Sequence, residues 1–154
     1  MSAQTAAEQE TLILDAVEQF LVRDVEPFAR DLELADEYPH EVVEKMKGLG
    51  LFGATIGEAY GGLGLPATTY ARVVERGSRT WMSVSGIFNS HLIMCAAIER
   101  FGTEAQKDAY LPRMAAGELR GGIALTEPDC GTDLQAIRTR AKADGSDYVV
   151  SGTK

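Results

Sequence analysis

Cysteine and positive charge are both scarce in this sequence, and each shortage excludes a class of protein. Of the 154 residues only Cys95 and Cys130 are cysteines, too few for a disulfide scaffold, so we expect a reducing compartment and a cytoplasmic location. Fifteen lysines and arginines stand against 23 aspartates and glutamates, giving a formal charge of −8. Such a chain has no broad basic surface for phosphates, so we expect no nucleic-acid partner.

Long apolar runs are also missing. No run of about 18 apolar residues is present, so the sequence predicts no membrane span and no membrane partner. The polar N-terminus, residues 1–4, lacks the basic start and apolar core of a signal peptide. Because 45% of the residues are hydrophobic and 25% are charged, the composition predicts a soluble globular protein with a sizeable core.

Glycine is absent before Gly48, and the same stretch holds all of the acidic excess. Residues 1–47 contain 12 acidic and 4 basic side chains, whereas residues 48–154 contain 11 of each. We interpret the acidic stretch as a solvated helix face, with a docking surface as the alternative. Glycine then becomes frequent, and residues 54–66, which follow no period, are predicted to form a loop.

Apolar residues recur at spacings of three and four over most of the first 118 residues, which predicts a helical domain. Pro27 is expected to end or kink the first helix. Thr103 and Gln106 have the spacing of a capping box, which predicts a helix that begins there and ends by Gly117. The predicted helices cover residues 5–26, a segment after Pro39, residues 68–76, a segment after Gly77 and a segment after Thr103.

The pattern changes beyond Gly117 from helix to strand. Residues 123–125 form a short apolar run of strand length. Within residues 137–142, uncharged side chains alternate with basic ones, as they do in a half-buried strand. The Asp-Gly pair at 144–145 predicts a hairpin turn, with residues 148–150 as the returning strand. Because a lone hairpin is marginal in water, we expect the chain to stop partway through a second domain.

Residues 125–133 join these strand segments and combine hydroxyls, acids and glycine with hardly any apolar anchor. Their chemistry allows three interpretations. Gly131 and the backbone N–H groups after it, with the Thr132 hydroxyl, could form a donor nest for an anion such as a pyrophosphate. The three acids could supply oxygens to Ca²⁺ or Mg²⁺, although their spacing is not that of an EF-hand. The Asp and Thr side chains could also simply bond their own backbone in a turn.

The same residues carry a resemblance to a known family. Residues 124–128 (A-L-T-E-P), followed by 131–133 (G-T-D) and Ala136, closely resemble the first signature of the acyl-CoA dehydrogenases. The closing residues 152–154 (G-T-K) are similar to the family's strand that leads into a second flavin-contacting segment. Further passages that resemble the family in the same order are residues 60–64 (Y-G-G-L-G), 101–103 (F-G-T) with 106–107 (Q-K), and 110–112 (Y-L-P).

The resemblance implies a mainly α fold class. A helical N-terminal domain would cover residues 1–118, and the first strands of an antiparallel β-barrel middle domain would cover residues 119–154. In that family these domains and a C-terminal four-helix bundle enclose FAD, and the chains form homotetramers or dimers. This chain would then be the truncated N-terminal part of such a flavoprotein.

The resemblance also implies cofactor-binding roles. Residues 123–132 would be the FAD-binding stretch, with Ile123 at its start. Leu125 would lie against the flavin ring through its backbone, and Thr126 would lie beside the ring. A hydroxyl such as that of Thr126 can donate a hydrogen bond to the flavin.

Gly131 and Thr132 would hold the pyrophosphate of FAD, and Thr132 would also approach the acyl-CoA substrate. The implied reaction is α,β-dehydrogenation of an acyl-CoA thioester in fatty acid metabolism, with hydride transfer to FAD and onward transfer of electrons to an electron-transfer flavoprotein. The family's catalytic glutamate lies beyond Lys154, so no catalytic residue and no metal ligand is assigned here. The chain alone is expected to be inactive.

Several alternatives stay open. A catalytically inactive helical binding module would use the acidic helices as a contact surface, and an acyl-CoA oxidase or flavin monooxygenase would keep the same fold. Cys130 is interpreted as a tolerated small residue, with a reactive thiol as the alternative. His91 is interpreted as structural, with a place at the acyl pocket as the alternative, and residues 80–98 are expected to border the acyl tail.

Overall fold

The computed structural model describes residues 3–154, so Met1 and Ser2 of the polar N-terminus lie outside the described residues. The chain divides between Gly122 and Ile123 into two compact units, four residues after the boundary expected from the sequence. The first unit is helical, and the second contains a two-stranded antiparallel sheet. The expected fold class, mainly α with antiparallel strands at the end, is confirmed.

A long helix with one local change of winding occupies the start of the chain. It consists of α1 (Ala3–Phe20), a π-helical turn (Leu21–Val25) and α2 (Glu26–Ala35). Pro27, in the first turn of α2, has no N–H for the carbonyl four residues earlier, and the wider turn just before it gives the proline ring room. Pro27 therefore kinks the helix and does not end it.

The π-helical turn holds a buried carboxylate. Asp24 accepts hydrogen bonds from Nε of Arg23 at 2.8 Å and from Nζ of Lys45 at 2.7 Å. Because Lys45 belongs to α3 (His40–Gly48), this contact joins the first long helix to α3. Hydrogen bonds from Arg23 and Lys45 hold the pKa of Asp24 below its ordinary value.

Residues 49–66 form the loop that the glycine pattern predicts, with two short 3₁₀ turns at Leu51–Gly53 and Glu58–Tyr60. The loop bonds to itself, since the N–H of Leu63 donates to the carbonyl of Gly53 at 2.9 Å. Gly62 permits this close return, because a Cβ there would lie 2.1 Å from the carbonyl oxygen of Ile56. The loop thereby packs into the core of the first unit.

The next helix, α4 (Ala67–Phe101), is broken at Trp81, whose φ of −159° and ψ of 109° are not helical. The two arms on either side of Trp81 fold back on each other. The Tyr70 hydroxyl of the first arm donates to Oδ1 of Asn89 in the second arm at 2.7 Å. In a straight helix these two residues would be about 28 Å apart.

Gly77 lies inside the first arm, so the prediction that a helix ends just before Gly77 is wrong. Glycine at this position allows the two arms to pack closely against each other. A Cβ at Gly77 would lie 2.6 Å from Oγ of Ser85 in the second arm, and the Ser85 hydroxyl also lies 3.1 Å from Oγ of Ser78. A residue that the sequence pattern predicts to end a helix is a point where the two arms approach closely.

By length and composition α4 could cross a membrane, since its most apolar window has a mean hydropathy of 1.3. The core helix of a soluble protein meets the same criterion. In this chain the break at Trp81 folds the segment into two arms, and the side chains of Val73, Val84, Phe88 and Leu92 are buried in the core. We therefore interpret α4 as the core helix of the first unit.

The helix α5 (Glu104–Ala115) begins at the predicted capping box. The N–H of Gln106 donates to Oγ1 of Thr103 at 3.3 Å, and the N–H of Thr103 donates to Oε1 of Gln106 at 2.9 Å. The predicted helix start is confirmed. The largest fully buried apolar side chains of the core are Leu21, Met46, Phe52, Ile56, Phe88, Leu111 and Met114.

In the second unit β1 (Arg140–Asp144) pairs antiparallel with β2 (Asp147–Ser151), and Asp144 lies opposite Asp147. Gly145 in the connecting turn has a φ of 62°, a conformation that glycine adopts readily, and the predicted hairpin is confirmed. The half-burial expected for residues 137–142 holds only before β1, where Ile137 and Thr139 are half-buried and Arg138 is exposed, whereas every residue of β1 and β2 is exposed. The strand predicted at residues 123–125 is wrong for the described chain, because these residues pair with no described strand.

Replacing Gly77 by alanine should destabilise the first unit. The added Cβ would clash with Oγ of Ser85, and overpacking of this kind lowers the free energy of unfolding by roughly 1–3 kcal/mol. Urea unfolding of the purified protein measures the loss. Adding Ser85→Ala to Gly77→Ala removes the clashing oxygen and should restore most of the stability.

Gly86→Ala is the matched control in the same helix, since a Cβ at the exposed Gly86 would meet nothing within 4 Å. Alanine in an exposed helix interior should raise the free energy of unfolding by about 0.5–1 kcal/mol. Equal effects of Gly77→Ala and Gly86→Ala would contradict the close approach of the two arms.

Candidate functional site

The residues predicted to bind a cofactor all lie in one exposed stretch between the last helix and the first strand. Ile123, Leu125 and Thr126 lie before a tight turn, and Gly131 and Thr132 follow it. Ile123 is 41% exposed and Leu125 is 45% exposed. These two side chains offer an apolar contact surface that the described chain does not cover.

A tight turn separates the two parts of this stretch. The N–H groups of Glu127 and Cys130 donate to each other's carbonyl oxygens at 2.8 Å and 3.1 Å, with Pro128 and Asp129 at the tip. The Cys130 thiol then donates to the carbonyl oxygen of Asp133 at 3.0 Å. The turn interpretation of the sequence therefore describes this part of the loop, where backbone and side chains satisfy each other.

Beyond this turn the backbone donors are free. The N–H groups of Gly131, Thr132 and Asp133 have no hydrogen-bond partner among the described residues, and neither have the hydroxyls of Thr126 and Thr132. All of these residues are exposed. Three successive N–H donors beside a hydroxyl suit the oxygens of a phosphate or diphosphate. The donor set therefore fits the pyrophosphate of FAD.

Gly131 is not required by the fold. A Cβ at this position would meet nothing within 4 Å, and its φ is not in the left-handed region. Neither the packing nor the backbone of the described chain calls for glycine here. The missing side chain instead leaves room for a group that approaches the backbone from outside, which is what a diphosphate requires.

Two acids of the stretch contact donors of the chain itself. The Asp129 carboxylate pairs with Nη1 of Arg138 at 3.2 Å, and Oδ1 of Asp133 accepts from the N–H of Gln135 at 3.1 Å, which caps a short 3₁₀ turn. These contacts oppose the calcium or magnesium interpretation, because the carboxylates face hydrogen-bond donors that a cation would have to displace.

Glu127 has a role that sequence reasoning missed. Its carboxylate is only 5% exposed and accepts from the N–H groups of Arg138 at 2.7 Å and Thr139 at 3.0 Å, while Nζ of Lys154 lies 3.0 Å away. Hydrogen bonds from Thr139, Arg138 and Lys154 lower the pKa of Glu127 to about 2. No local pattern signals this role, because these partners lie 11 or more residues further along the chain.

His91 is buried between the loop and the end of α5. Its Nε2 lies 3.1 Å from the carbonyl oxygens of both Phe52 and Met114, and its Nδ1 accepts from the N–H of Gly121 at 3.2 Å. These partners require a neutral ring with its proton on Nε2. Burial lowers the pKa of His91 and favours the same neutral form. The contacts support the structural interpretation of His91.

Both cysteines are buried. Burial raises the pKa of the Cys95 thiol to about 12, which makes this sulfur a poor nucleophile. Cys130 is 3% exposed, and its thiol donates to the Asp133 carbonyl. Burial and this hydrogen bond oppose the reactive-thiol alternative and agree with Cys130 packing as a small residue.

A groove of about 610 Å³ runs along the second arm of α4 in the first unit. Small residues of that arm line it, among them Ser83, Gly86 and Ser90, and His91 borders it as well. Arg120 lines it as well, and its guanidinium lies 5.6 Å from the centre of the Tyr38 ring. Because nothing in the chain lies within 4 Å of a Cβ at Gly86, the glycine keeps the groove open without serving the packing of the helix.

The chain is similar to known proteins over most of its length. The family model for the N-terminal domain of acyl-CoA dehydrogenases matches residues 7–118. The chain is 38% identical over 148 residues to a (2S)-methylsuccinyl-CoA dehydrogenase of Cereibacter sphaeroides, covering 96% of this chain and 27% of that protein. It is 36% identical over 147 residues to a short-chain specific acyl-CoA dehydrogenase of Clostridium acetobutylicum, covering 95% and 39%.

Solved structures agree with these matches. The glutaryl-CoA dehydrogenase of Mycobacterium smegmatis in complex with FADH2 superposes with a TM-score of 0.86 at 30% identity. The superposition covers 94% of this chain and 37% of that one. The chain therefore spans about a third of the length of the relatives that it matches.

The neutral state of His91 predicts a pH dependence of stability. Because burial lowers its pKa below the ordinary 6.5, the unfolded chain takes up a proton more readily than the folded chain. The stabilisation by neutral His91 is complete above about pH 6.5 and is lost as the pH falls through the lowered pKa. Urea unfolding at about pH 7.5 and about pH 5 should show the lower free energy of unfolding at the acidic value.

His91→Gln should lower the free energy of unfolding at neutral pH by roughly 1–3 kcal/mol, since buried carbonyl and N–H groups lose partners, and it should flatten the pH dependence. His40, the second histidine, is exposed, so His40→Gln is the control and should keep the slope of the parent protein. An unchanged slope in His91→Gln would contradict the assignment.

Proposed function

The chain belongs to the acyl-CoA dehydrogenase family, and from this membership we propose that it supplies part of the FAD site in a flavoprotein that oxidises an acyl-CoA thioester at its α and β carbons. The observation that carries the proposal is the row of unpartnered N–H donors at residues 131–133 beside the exposed stretch 123–126. Such donors accommodate a diphosphate, and such exposed apolar side chains accommodate a flat ring system.

Each residue of the stretch has a role in this proposal. Ile123 and Leu125 border the flavin ring, Leu125 through its backbone, and the Thr126 hydroxyl donates a hydrogen bond to the ring. Gly131 and Thr132 hold the diphosphate through their N–H groups, and Thr132 also reaches the acyl-CoA. The exposure of these residues and the free state of their donors within the described chain support these roles.

FAD, when bound, supplies the acceptor for the hydride that leaves the β carbon of the substrate. The residues of this chain bind and orient: the N–H donors of residues 131–133 offset the charge of the diphosphate, and the neutral composition of residues 48–154 adds no net repulsion. Removal of the α proton needs a base. We propose that this base is outside the chain, because the acids nearest the stretch contact donors of the chain itself.

We further propose that the groove along α4 receives the acyl group. Ser83, Gly86 and Ser90 are small, and Ile87 adds an apolar surface at the same wall. Glycine weakens a helix, and the packing of the chain does not require it at position 86, because a Cβ there would meet nothing within 4 Å. A ligand that occupies this space would explain the glycine. The position of the groove within residues 80–98 agrees with the part of the chain expected to border the acyl tail.

Partners follow from the same chemistry. The electrons taken from the substrate need an acceptor, which we propose to be an electron-transfer flavoprotein. We propose a homotetramer or dimer as the assembly and the cytoplasm as the location. The uncovered faces of β1 and β2 and the exposed ring of Phe101, at 79%, support further protein packed on both units in the complete flavoprotein.

Replacing Gly131 by alanine should weaken FAD binding without weakening the fold. The added methyl group has free space in the chain but stands where the diphosphate would approach the backbone. We expect the dissociation constant of FAD to rise by about tenfold or more, measured by flavin fluorescence titration of the complete apo-flavoprotein.

Gly48→Ala is the matched control, because a Cβ at Gly48 also meets nothing within 4 Å and the residue lies in α3. Its FAD affinity should equal that of the parent protein. If Gly131→Ala binds FAD as tightly as Gly48→Ala, the diphosphate does not lie against residue 131.

Gly86→Leu should narrow the groove and change the preference among acyl groups. A Cβ at Gly86 meets nothing within 4 Å and the residue lines the groove, so we expect the added side chain to extend into the groove. The ratio kcat/KM should fall by about tenfold or more for long acyl groups and less for short ones, measured as flavin reduction with an acyl-CoA series. A uniform loss for all lengths would place the acyl group elsewhere.

A further inference from the structure

The second unit contains a charged contact that connects three separate segments of its chain. Glu127 follows the extended stretch, Arg138 and Thr139 lie just before β1, and Lys154 follows β2. Both oxygens of the Glu127 carboxylate are in use, with Oε2 accepting from the N–H of Arg138 and Oε1 accepting from the N–H of Thr139 and facing Lys154. Glu127 is buried, whereas Asp129 and Asp133 are exposed.

Lys154 makes a second contact that reaches the stretch itself. Its Nζ donates to the carbonyl oxygen of Leu125 at 2.9 Å while it pairs with the Glu127 carboxylate at 3.0 Å. One ammonium group thus holds two positions that are only two residues apart. We call Glu127 and Lys154, with these contacts, the Glu127–Lys154 clasp.

The clasp sets the direction of a backbone donor. A trans peptide unit is planar, so its carbonyl and N–H groups point in opposite directions. With the Leu125 carbonyl held toward Lys154, the N–H of Thr126 must point away from Lys154. This N–H has no partner among the described residues, and Thr126 is exposed, so the donor is available to a ligand on that side.

We propose that the Glu127–Lys154 clasp positions the Leu125–Thr126 peptide and the Thr126 hydroxyl for the flavin ring, so that both charged residues act on the cofactor without touching it. This role rests on the proposed function, since it concerns the same FAD site. Glu127 and Lys154 are positioning residues in this role. Neither of them is a catalytic group.

A carboxylate is needed at position 127 because every group that faces it is a donor. Glutamine would turn an NH₂ group toward the N–H of Arg138 or toward the N–H of Thr139 and Lys154. The lowered pKa of Glu127, about 2, keeps the carboxylate charged at neutral and mildly acidic pH. Its contribution is complete above the ordinary value of 4.5 and is lost only as the pH falls through about 2.

Substitutions at the two residues of the clasp distinguish its effect on the start of β1 from its effect on the stretch. Glu127→Gln disturbs both the start of β1 and the stretch, whereas Lys154→Met releases the Leu125 carbonyl and leaves the backbone bonds from Arg138 and Thr139 to Glu127 in place. Lys154→Arg keeps a cation that can reach both partners. Glu118→Gln changes an exposed acid of the first unit and is the matched control.

The experiment measures FAD affinity, the flavin absorption spectrum and amide hydrogen exchange in the complete flavoprotein. Lys154→Met should weaken FAD binding by about tenfold and shift the flavin absorption bands, with exchange at Arg138 and Thr139 unchanged. Glu127→Gln should weaken binding at least as much and also accelerate exchange at both amides. Lys154→Arg and Glu118→Gln should match the parent protein in every readout.

The outcomes distinguish this inference from the proposed function. Unchanged FAD affinity and an unchanged spectrum in Lys154→Met, with the parent protein binding FAD, would overturn the positioning role and leave the proposed function standing. A parent protein that binds no FAD would overturn the proposed function and the positioning role together, while the exchange rates would still report on the carboxylate contacts. Recovery of FAD affinity and spectrum in Lys154→Arg would support the clasp. If Lys154 were needed only for folding, Lys154→Met would also change the exchange rates at Arg138 and Thr139.

Discussion

The buried imidazole of His91 is the constraint on which the first unit depends. One ring joins the loop through Phe52, the end of α5 through Met114 and the segment after α5 through Gly121, all within the first unit. A neutral ring satisfies all three partners at once, because one nitrogen donates and the other accepts. A charged ring would turn a donor toward the N–H of Gly121. A single proton position therefore holds the loop, the end of α5 and the segment that follows α5 together within the first unit.

The candidate site is built in the opposite way. The core satisfies its polar groups internally, whereas the N–H groups of residues 131–133 and the hydroxyl of Thr126 have no partner among the described residues and belong to exposed residues. Gly131 and Gly86 leave space that the fold does not use. Local features that stability alone does not explain concentrate where a protein meets its ligand. The charge follows the same division, since the acidic excess lies in residues 1–47 and the remainder, which carries the proposed FAD contacts, is neutral.

Short-range patterns predicted the elements well, and close packing produced the errors. The capping box at Thr103 and the hairpin at Gly145 depend on residues within one turn, so their sequence signals are complete. The prediction that a helix ends just before Gly77 was wrong. This glycine is explained by its close approach to Ser85 in the opposite arm, which no local pattern contains. The predicted half-burial holds for Ile137 and Thr139 but fails in β1 and β2, because burial depends on what covers a strand and alternation shows only which face could be covered.

The sequence by itself determined the helical first unit, the hairpin, the family and the stretch of residues 123–132, because periodicity and motif order are carried by neighbouring residues. Only the tertiary structure decided how the acids of that stretch differ. Glu127, Asp129 and Asp133 look equivalent as candidate ligands in the sequence. Folding buries Glu127 against two backbone N–H groups and Lys154 and leaves the other two exposed. That difference depends on partners brought together from distant positions, and only chain folding supplies them.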